Sequence, residues 1–222
     1  MTFCLTTTVI KPEQNKPVKN AVILLHGYGG DGKDISMLTL GWKRHLPNTI
    51  FLCPNGHEKC PINPSGFQWF DLTKDDPEYI IEQSKKAENI LKVYINEIKN
   101  KYDLKNSEIC LAGFSQGCMM SINMGLISDE NFNSIVGFSG KIINREDLIN
   151  RKISLTKMLL IHGDQDEVVA PNFLLEAKDF LIRLKCEVET KMIKNCGHQI
   201  PIEASSHALM YIKNNLLNLK NI

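Results

Sequence analysis

The chain has 222 residues, 43% of them hydrophobic, so it can bury a sizeable core, and we expect residues 1–222 to form a single domain. Its 26 basic and 25 acidic residues give a formal net charge of +1, which argues against nucleic acid or an anionic membrane as the main partner. No apolar stretch approaches the ~20 residues that a membrane-spanning helix needs, so we expect no stable membrane insertion.

Short apolar segments alternate with helix-like segments along the chain. The candidate strands are Leu5–Ile10, Ala21–Leu25, Thr49–Cys53, Ile109–Ala112, Ser134–Phe138, Lys157–Ile161 and Val188–Ile193. The clearest helix, Pro77–Tyr102, has apolar residues at three- and four-residue steps, and two later helices, Pro171–Leu184 and Pro201–Leu219, also begin with proline. This alternation predicts an α/β fold with a doubly wound, mostly parallel sheet, helices on both faces and function at the carboxyl ends of the strands.

A glycine-rich turn, His26–Gly30, follows the second candidate strand. Such a turn lets backbone N–H groups point into a cleft, and the N–H of Tyr28 is a candidate oxyanion-hole donor. The overlapping segment Gly27–Asp34 nearly matches the phosphate-binding pattern G-x-x-x-x-G-K-[ST], but Asp34 stands where that pattern needs a hydroxyl residue. No aspartate follows a strand in an obvious magnesium-binding arrangement, so we disfavour a nucleotide site.

The segment Pro54–Phe70 reads as one long irregular loop, because it contains three prolines and two glycines. Loops of this length in a compact domain are often functional, so we expect it to border the substrate cleft. Phe67 and Trp69 are then candidate contacts for an acyl chain. The alternative is that these aromatic side chains anchor the loop to the core.

The pattern G-x-S-x-G occurs at Gly113–Gly117, between the apolar run Ile109–Ala112 and the helix-compatible run Cys118–Ile127. Between a strand and a helix, this pattern holds the serine on a strained elbow with its hydroxyl in a cleft, which makes Ser115 the candidate nucleophile. The N–H of Gln116 is the second candidate oxyanion-hole donor. The alternative is a tight glycine turn with a helix-capping serine.

An acid is expected between the serine and the base in chain order, because a nucleophilic serine needs a base and the base needs an orienting group. Asp166 fits this role, since it lies in the turn after the strand Lys157–Ile161 and next to Val168 and Val169, which can hold the turn against the core. Asp164 competes with it. Either aspartate could instead stabilise a turn or cap the next helix.

His198 fits the base, because it follows the run Val188–Ile193 and precedes the last candidate helix. His26 lies in the glycine loop before the serine, and His162 lies too close to the end of its own strand. The remaining histidines occupy a helix face, a long loop and the last helix; they are His45, His57 and His207.

Seven cysteines without regular spacing, and no signal-peptide pattern, predict reduced thiols in a cytoplasmic protein. Cys53, His57 and Cys60 share a loop, but their spacing is irregular and a fourth ligand is missing, so we expect no metal. We also expect no cofactor. The expected partner is a small-molecule or acyl-chain ester substrate, and the sequence leaves a homodimer open.

Five segments of the chain carry a family resemblance; they are Leu25–Gly30, Trp69–Asp71, Gly113–Gly117, His162–Val169 and Gly197–His198. Together they resemble the phospholipase/carboxylesterase family of α/β-hydrolases, which includes the acyl-protein thioesterases and small bacterial carboxylesterases. The resemblance spans about residues 22 to 217. It implies Ser115 as nucleophile, Asp166 as acid and His198 as base, in a metal-independent cytosolic hydrolase of carboxylic esters or thioesters.

The chain departs from the family pattern beside two of these segments. Cys118 and Met119 follow the elbow where smaller residues are usual, and Tyr28 replaces a typical leucine. Such changes would reshape the acyl pocket. Met119, and Val168 after the candidate acid, are therefore two further candidate substrate contacts.

These observations predict a serine hydrolase that cleaves carboxylic esters, with thioesters as a second substrate class, through a Ser-His-Asp triad and an acyl-enzyme. The alternatives within the enzyme class are a lysophospholipase, an acyl-protein thioesterase and a peptidase. A different class of protein, a non-catalytic ligand-binding protein on the same fold, is a further alternative.

Overall fold

A seven-stranded sheet forms the centre of the computed structural model, which describes residues 3–13, 16–74, 76–143, 145–151 and 153–217. The spatial strand order is β1-β3-β2-β6-β7-β8-β9, and β1 alone runs antiparallel to its neighbour. The strands are β1 (Thr7–Ile10), β2 (Asn20–Leu25), β3 (Thr49–Pro54), β4 (Glu58–Cys60), β5 (Asn63–Gln68), β6 (Ile109–Phe114), β7 (Ser134–Phe138), β8 (Met158–Gly163) and β9 (Val188–Ile193). The α/β-hydrolase architecture expected from the sequence is confirmed.

Helices cover both faces of this sheet. They are α1 (Gly32–Ile35), α2 (Thr39–Trp42), α3 (Pro77–Tyr102), α4 (Gln116–Leu126), α5 (Arg145–Ile149), α6 (Asn172–Arg183) and α7 (Ile202–Leu216). Successive side chains of a strand point to opposite faces, so the fully apolar strand β2 feeds two cores. Ile23 packs in the cluster that includes α3, α4 and α6, whereas Leu24 packs in the cluster that includes α1, α2 and α7.

The longest helix, α3, has the bounds that its sequence pattern predicts. Asp76 caps its first turn by accepting a hydrogen bond from the N–H of Tyr79 at 3.1 Å, and Pro77 occupies a position where no N–H is needed. The helix ends where Asp103 adopts a left-handed conformation with φ 53°. The two proline-led helices are also present as α6 and α7, although Leu219 lies outside the described residues.

The prediction of an irregular loop over Pro54–Phe70 is wrong. This segment contains β4 and β5, which pair antiparallel as a separate two-stranded sheet with an irregular register between Lys59 and Cys60. We call residues 54–70 the hairpin segment. Its prolines and glycines conceal the strands because they are rare in strand interiors, and Gly66 is needed here since a Cβ would overlap the carbonyl group of Gly29.

No helix within the described ranges is long and apolar enough to span a membrane. The longest of them, α3, carries charged side chains on its outer face, such as Lys85, which pairs with Asp147 at 2.9 Å. Its inner face contributes Leu91 and Tyr94 to the core. This division is typical of a helix that packs against a sheet at the surface of a globular protein.

Candidate active site

Ser115 lies between the last residue of β6 and the first residue of α4. Its backbone has φ 52° and ψ −116°, a conformation that costs a residue with a Cβ on the order of 1–3 kcal/mol. Two hydrogen bonds hold it there: its N–H donates to the carbonyl of Phe138 at 2.8 Å, and its own carbonyl accepts from Met119 at 3.1 Å. The serine therefore lies on a sharp turn at the carboxyl end of β6.

The two glycines of the elbow are required by close backbone contacts. A Cβ at Gly113 would overlap the carbonyl group of Gly117, and a Cβ at Gly117 would overlap the carbonyl oxygen of Leu25. The second contact brings the first turn of α4 directly against the end of β2. The glycine spacing of the motif thus reflects how tightly the elbow packs against its neighbouring strand.

Asp166 lies in the turn after β8 with only 3% of its surface exposed. One carboxylate oxygen accepts hydrogen bonds from the N–H groups of Val168 (3.0 Å) and Val169 (2.9 Å), and the other lies 2.8 Å from Nδ1 of His198. Burial would raise the pKa of this carboxyl, but the hydrogen bonds from His198, Val169 and Val168 outweigh it and leave the pKa below its ordinary value. The group is therefore held ionised. Asp164, the competing candidate, instead accepts from the N–H of Cys196 at 3.3 Å.

His198 follows β9 and is oriented by the buried carboxylate. Because a carboxylate only accepts hydrogen bonds, the contact of Nδ1 with Asp166 places the ring proton on Nδ1 and leaves Nε2 as an acceptor. The imidazole packs against the ring of Phe114, with centroids 4.7 Å apart. Since Phe114 directly precedes Ser115, this contact brings the loop of His198 to the elbow of Ser115.

A second imidazole, that of His162, touches the same carboxylate. Its Nε2 donates to the carbonyl of Val169 at 2.8 Å and lies 3.3 Å from the Asp166 oxygen that faces His198. The sequence disfavours His162 as the base because it lies too close to the end of its own strand. The spacing of four residues from Asp166 was the available signal, but only the fold of the turn brings the two side chains together.

The glycine-rich turn is held against the hairpin segment by a short ladder of hydrogen bonds. The N–H of Gly29 donates to Phe67 and the N–H of Phe67 donates to Gly30, both at 2.9 Å. Gly29 has φ 77°, which glycine adopts without strain. A Cβ built at Gly27 would lie 3.4 Å from the Cβ of Ser115, so this turn borders the elbow. The backbone of Tyr28, between these anchored positions, belongs to the same rim.

Gln116, the other candidate oxyanion donor, is the first residue of α4, so its N–H has no partner inside the helix. Its side chain has a role that the sequence did not reveal. The amide oxygen accepts from the N–H of Trp69 at 2.8 Å, and the amide nitrogen donates to the carbonyl of Phe70 at 2.6 Å. Gln116 thereby fastens the end of the hairpin segment to the elbow.

His26 makes the second connection between the glycine-rich turn and the hairpin segment. Its Nε2 accepts from the N–H of Gly56 at 2.8 Å, its Nδ1 donates to Gly27 at 2.7 Å, and its carbonyl accepts from the indole N–H of Trp69 at 3.0 Å. Burial lowers the pKa of His26. A neutral ring is what these bonds require, because a protonated Nε2 could not accept from Gly56.

The chain has relatives among known proteins. The sequence pattern of the phospholipase/carboxylesterase family matches residues 6–216. This chain belongs to that family. Acyl-protein thioesterase 1 of Aspergillus fumigatus is 31% identical over 204 residues, which cover 82% of each chain. Esterase YpfH of Escherichia coli is 25% identical over 208 residues, covering 90% of this chain and 84% of that protein.

The fold is also that of solved esterases. A crystal structure of esterase PE8 matches with a TM-score of 0.90 and 32% identity, covering 96% of this chain and 99% of that one. A carboxylesterase from Bacillus cereus matches with a TM-score of 0.78 at 17% identity, which shows the shared fold alone. The sequence-based assignment to the phospholipase/carboxylesterase family is therefore confirmed, and with it the assignment of the chain as a hydrolase.

The departures from the family pattern have local structural counterparts. The thiol of Cys118 occupies the space above Gly137 and Gly140, where a Cβ at either glycine would overlap it. The side chain of Cys118 on α4 thus fits because Gly137 and Gly140, which face it, have no side chains. Burial and a hydrogen bond with Cys60 raise the pKa of Tyr28 to about 12, so its phenol is neutral.

A cavity of about 810 Å³ adjoins His198 and the turn that contains Tyr28. None of the four candidate substrate contacts lines it. Trp69 and Met119 are buried in the core, Phe67 is half-buried beneath the ammonium of Lys59, and Val168 is 71% exposed on the outer side of the acid turn. Their role in binding stays a prediction, because other residues line the cavity beside His198.

The phosphate-loop interpretation of Gly27–Asp34 finds little support in the local geometry. The carboxylate of Asp31 caps α1 by accepting from the N–H of Asp34 at 2.8 Å, and the N–H of Gly32 already donates to Asn55 at 2.8 Å. Within the part of the chain that the structure describes, no group of three or more His, Cys, Asp or Glu side chains is placed to hold a metal ion. The expectation of no metal stays a prediction.

Proposed function

We propose that the chain is a serine esterase with Ser115 as nucleophile, His198 as general base and Asp166 as the group that orients it. The observation that supports this most directly is the 2.8 Å contact between Nδ1 of His198 and a carboxylate whose other oxygen accepts two backbone N–H bonds. This contact fixes the tautomer in which Nε2 can take a proton. A strained serine on the neighbouring elbow is the group to be activated.

The proposed reaction proceeds through an acyl-enzyme. Ser115 Oγ attacks the ester carbonyl while Nε2 of His198 accepts its proton, and Asp166 stabilises the imidazolium that forms. The N–H groups of Tyr28 and Gln116 stabilise the charge that develops on the carbonyl oxygen, and each such donor contributes about 3 kcal/mol in related sites. The leaving alcohol takes the proton from His198, and water then releases the acid through the same histidine.

Reaction with an active-site probe tests this function. In Ser115→Ala we expect loss of labelling by a fluorophosphonate probe and a fall of at least about 10⁴-fold in kcat for p-nitrophenyl butyrate. Ser121→Ala is the matched control, because this serine lies on the same helix and is buried without a described hydrogen-bond partner. Full turnover in Ser115→Ala would rule the proposal out, and absence of labelling in the unmodified protein would favour a binding protein.

Thioesters are the second candidate substrate class, because relatives that cover most of this chain are named acyl-protein thioesterase 1. A panel of butyryl esters, butyryl thioesters and lysophosphatidylcholine, compared by kcat/KM on the purified protein, separates esterase from thioesterase and lysophospholipase. We expect the ester to be cleaved with the highest kcat/KM.

We further propose that residues 1–222 act as one catalytic domain in the cytoplasm. All seven cysteines are free thiols, and six of them are buried. Reduced, unpaired cysteines are typical of proteins in a reducing compartment. Fractionation of cells that express the full chain, followed by thiol counting under denaturing conditions, tests the compartment and the redox state together.

A further inference from the structure

The cavity beside His198 has an apolar wall that the proposed chemistry leaves unused. It lies between residues 34–45, which follow the glycine-rich turn, and the start of α7. The wall includes Ile35, Met37, Leu38, Trp42, Ile200 and Leu209. Its volume of about 810 Å³ is within the range of small-molecule sites in proteins. The cavity is therefore large enough for the apolar half of an ester.

A hydrogen bond crosses the floor of the cavity, and its mouth is apolar. The indole N–H of the fully buried Trp42 donates to the hydroxyl of Ser205 at 3.0 Å, which joins α2 to α7. At the mouth, Met37 is 63% exposed and Ile202 is 87% exposed. Met37 and Ile202 therefore present apolar surface at the mouth that a bound apolar group would cover.

The charges around the mouth balance one another. Asp34 and Arg44 carry opposite charges, and the guanidinium of Arg44 donates to Nε2 of His45 at 3.0 Å. The mouth therefore offers no net charge to attract an ionic group, and an uncharged, apolar occupant fits it best.

The position of the base decides which half of the ester the cavity can take. His198 and the residues that follow it, Gln199 and Ile200, line the cavity, while Nδ1 of the ring is turned toward buried Asp166. Nε2 is the ring nitrogen on the side away from that carboxylate. In the proposed mechanism, Nε2 hands the proton to the leaving atom, so the group attached to that atom lies beside it.

We propose that this cavity binds the apolar alcohol or thiol portion of the ester, the leaving group, rather than its acyl chain. This inference rests on the proposed function. During acylation the bond between Ser115 Oγ and the carbonyl carbon forms, the bond from that carbon to the leaving oxygen or sulfur breaks, and the serine proton passes through His198 to the leaving atom. The neutral alcohol or thiol then departs from the cavity.

Two series of substrates separate the two halves of the ester. The first series consists of butanoate esters of methanol, butanol, hexanol and octanol, and the second of methyl esters of acids from butanoic to decanoic. In the unmodified protein we expect kcat/KM to rise about fourfold per methylene along the alcohol series, which corresponds to about 0.8 kcal/mol.

In the variants Met37→Gln and Leu209→Gln, kcat/KM should rise less steeply with the length of the alcohol, because the cavity wall becomes polar. The dependence of kcat/KM on the length of the acyl chain should stay unchanged. Met37 is exposed, so its replacement does not endanger folding. Met210→Gln is the matched control, since Met210 is 58% exposed on α7 and is absent from the cavity wall. It should keep the slope of both series.

Two outcomes would overturn the inference. A flattened acyl series in the cavity variants would assign the cavity to the acyl chain, and unchanged slopes in both series would show that neither half binds there. Failure of the proposed function has a different signature, because Ser115→Ala would then retain hydrolysis. If Ser115→Ala loses hydrolysis but the cavity variants keep both slopes, the leaving-group site is rejected and the proposed function stands.

Discussion

Four residues from separate parts of the chain converge at one edge of the sheet. Tyr28 follows β2, Ser115 follows β6, Asp166 follows β8 and His198 follows β9. The strongest constraint lies on Asp166, whose carboxylate is buried, ionised and held by two backbone N–H groups. Such a group acts through orientation, since it fixes which nitrogen of the imidazole carries the proton.

An asparagine at position 166 would keep the shape of the side chain but would not hold the imidazole of His198 in the same orientation. In Asp166→Asn we expect kcat for p-nitrophenyl butyrate to fall about 10³- to 10⁴-fold, because the amide N–H₂ can stabilise the wrong tautomer of His198. Asp164→Asn is the matched control, as this exposed carboxylate contacts the N–H of Cys196 instead. Equal losses in the two variants would remove Asp166 from its proposed role.

The hairpin segment and the glycine-rich turn form one structural unit. His26 joins the two through hydrogen bonds with the N–H of Gly56 and the indole N–H of Trp69, and Gln116 fastens the end of the hairpin segment to the elbow through the backbone N–H of Trp69. Loss of either side chain would leave buried polar groups without partners, which costs about 1–3 kcal/mol for each group. The glycine-rich turn is therefore positioned by elements that are distant in sequence.

The buried ring of His26 makes the stability of this unit depend on pH. Its pKa is lowered in the folded protein, so the unfolded chain, with an ordinary pKa of about 6.5, takes up the proton first. The stabilisation is complete above that value and is lost as pH falls below it. Urea unfolding between pH 7.5 and 5 should therefore show a free energy of unfolding that decreases with falling pH.

The variant His26→Asn should reduce this slope, because it removes the titrating ring. Some slope should remain, since burial also lowers the pKa of His57 in the hairpin segment. His207→Asn is the control, because this partly exposed side chain lies on α7, outside both the hairpin segment and the glycine-rich turn. A slope in His26→Asn equal to that of the unmodified protein would contradict the assignment.

At the scale of the whole molecule, the sequence predicts the sheet well and the contacts between loops poorly. The bounds of β7, β9 and α3 follow from local apolar periodicity, and the candidate triad follows from motif order. The hairpin segment is missed, because Pro64 and Gly66 mask a strand whose partners are a separate strand and a distant turn. The sequence also does not predict the cavity, because the residues of its wall are far apart in sequence.

The two faces of the sheet share every strand, so we expect one cooperative unfolding transition. Trp42 reports on the cluster with α7 and Trp69 on the cluster with α3. In Trp42→Phe and Trp69→Phe, the fluorescence of the remaining tryptophan should change at the same urea concentration as the circular dichroism of that variant. Separate midpoints within one variant would show that the two layers unfold independently and would contradict a single domain.

The double attachment of Gln116 restricts how a substrate can enter. Its side chain accepts a hydrogen bond from the N–H of Trp69 and donates one to the carbonyl of Phe70, and its own N–H is the proposed oxyanion-hole donor. Outward movement of the hairpin segment would therefore break these two hydrogen bonds or displace the elbow that carries Ser115. The opening between Met37 and Ile202, which leads into the cavity beside His198, should therefore admit substrate without displacement of the hairpin segment.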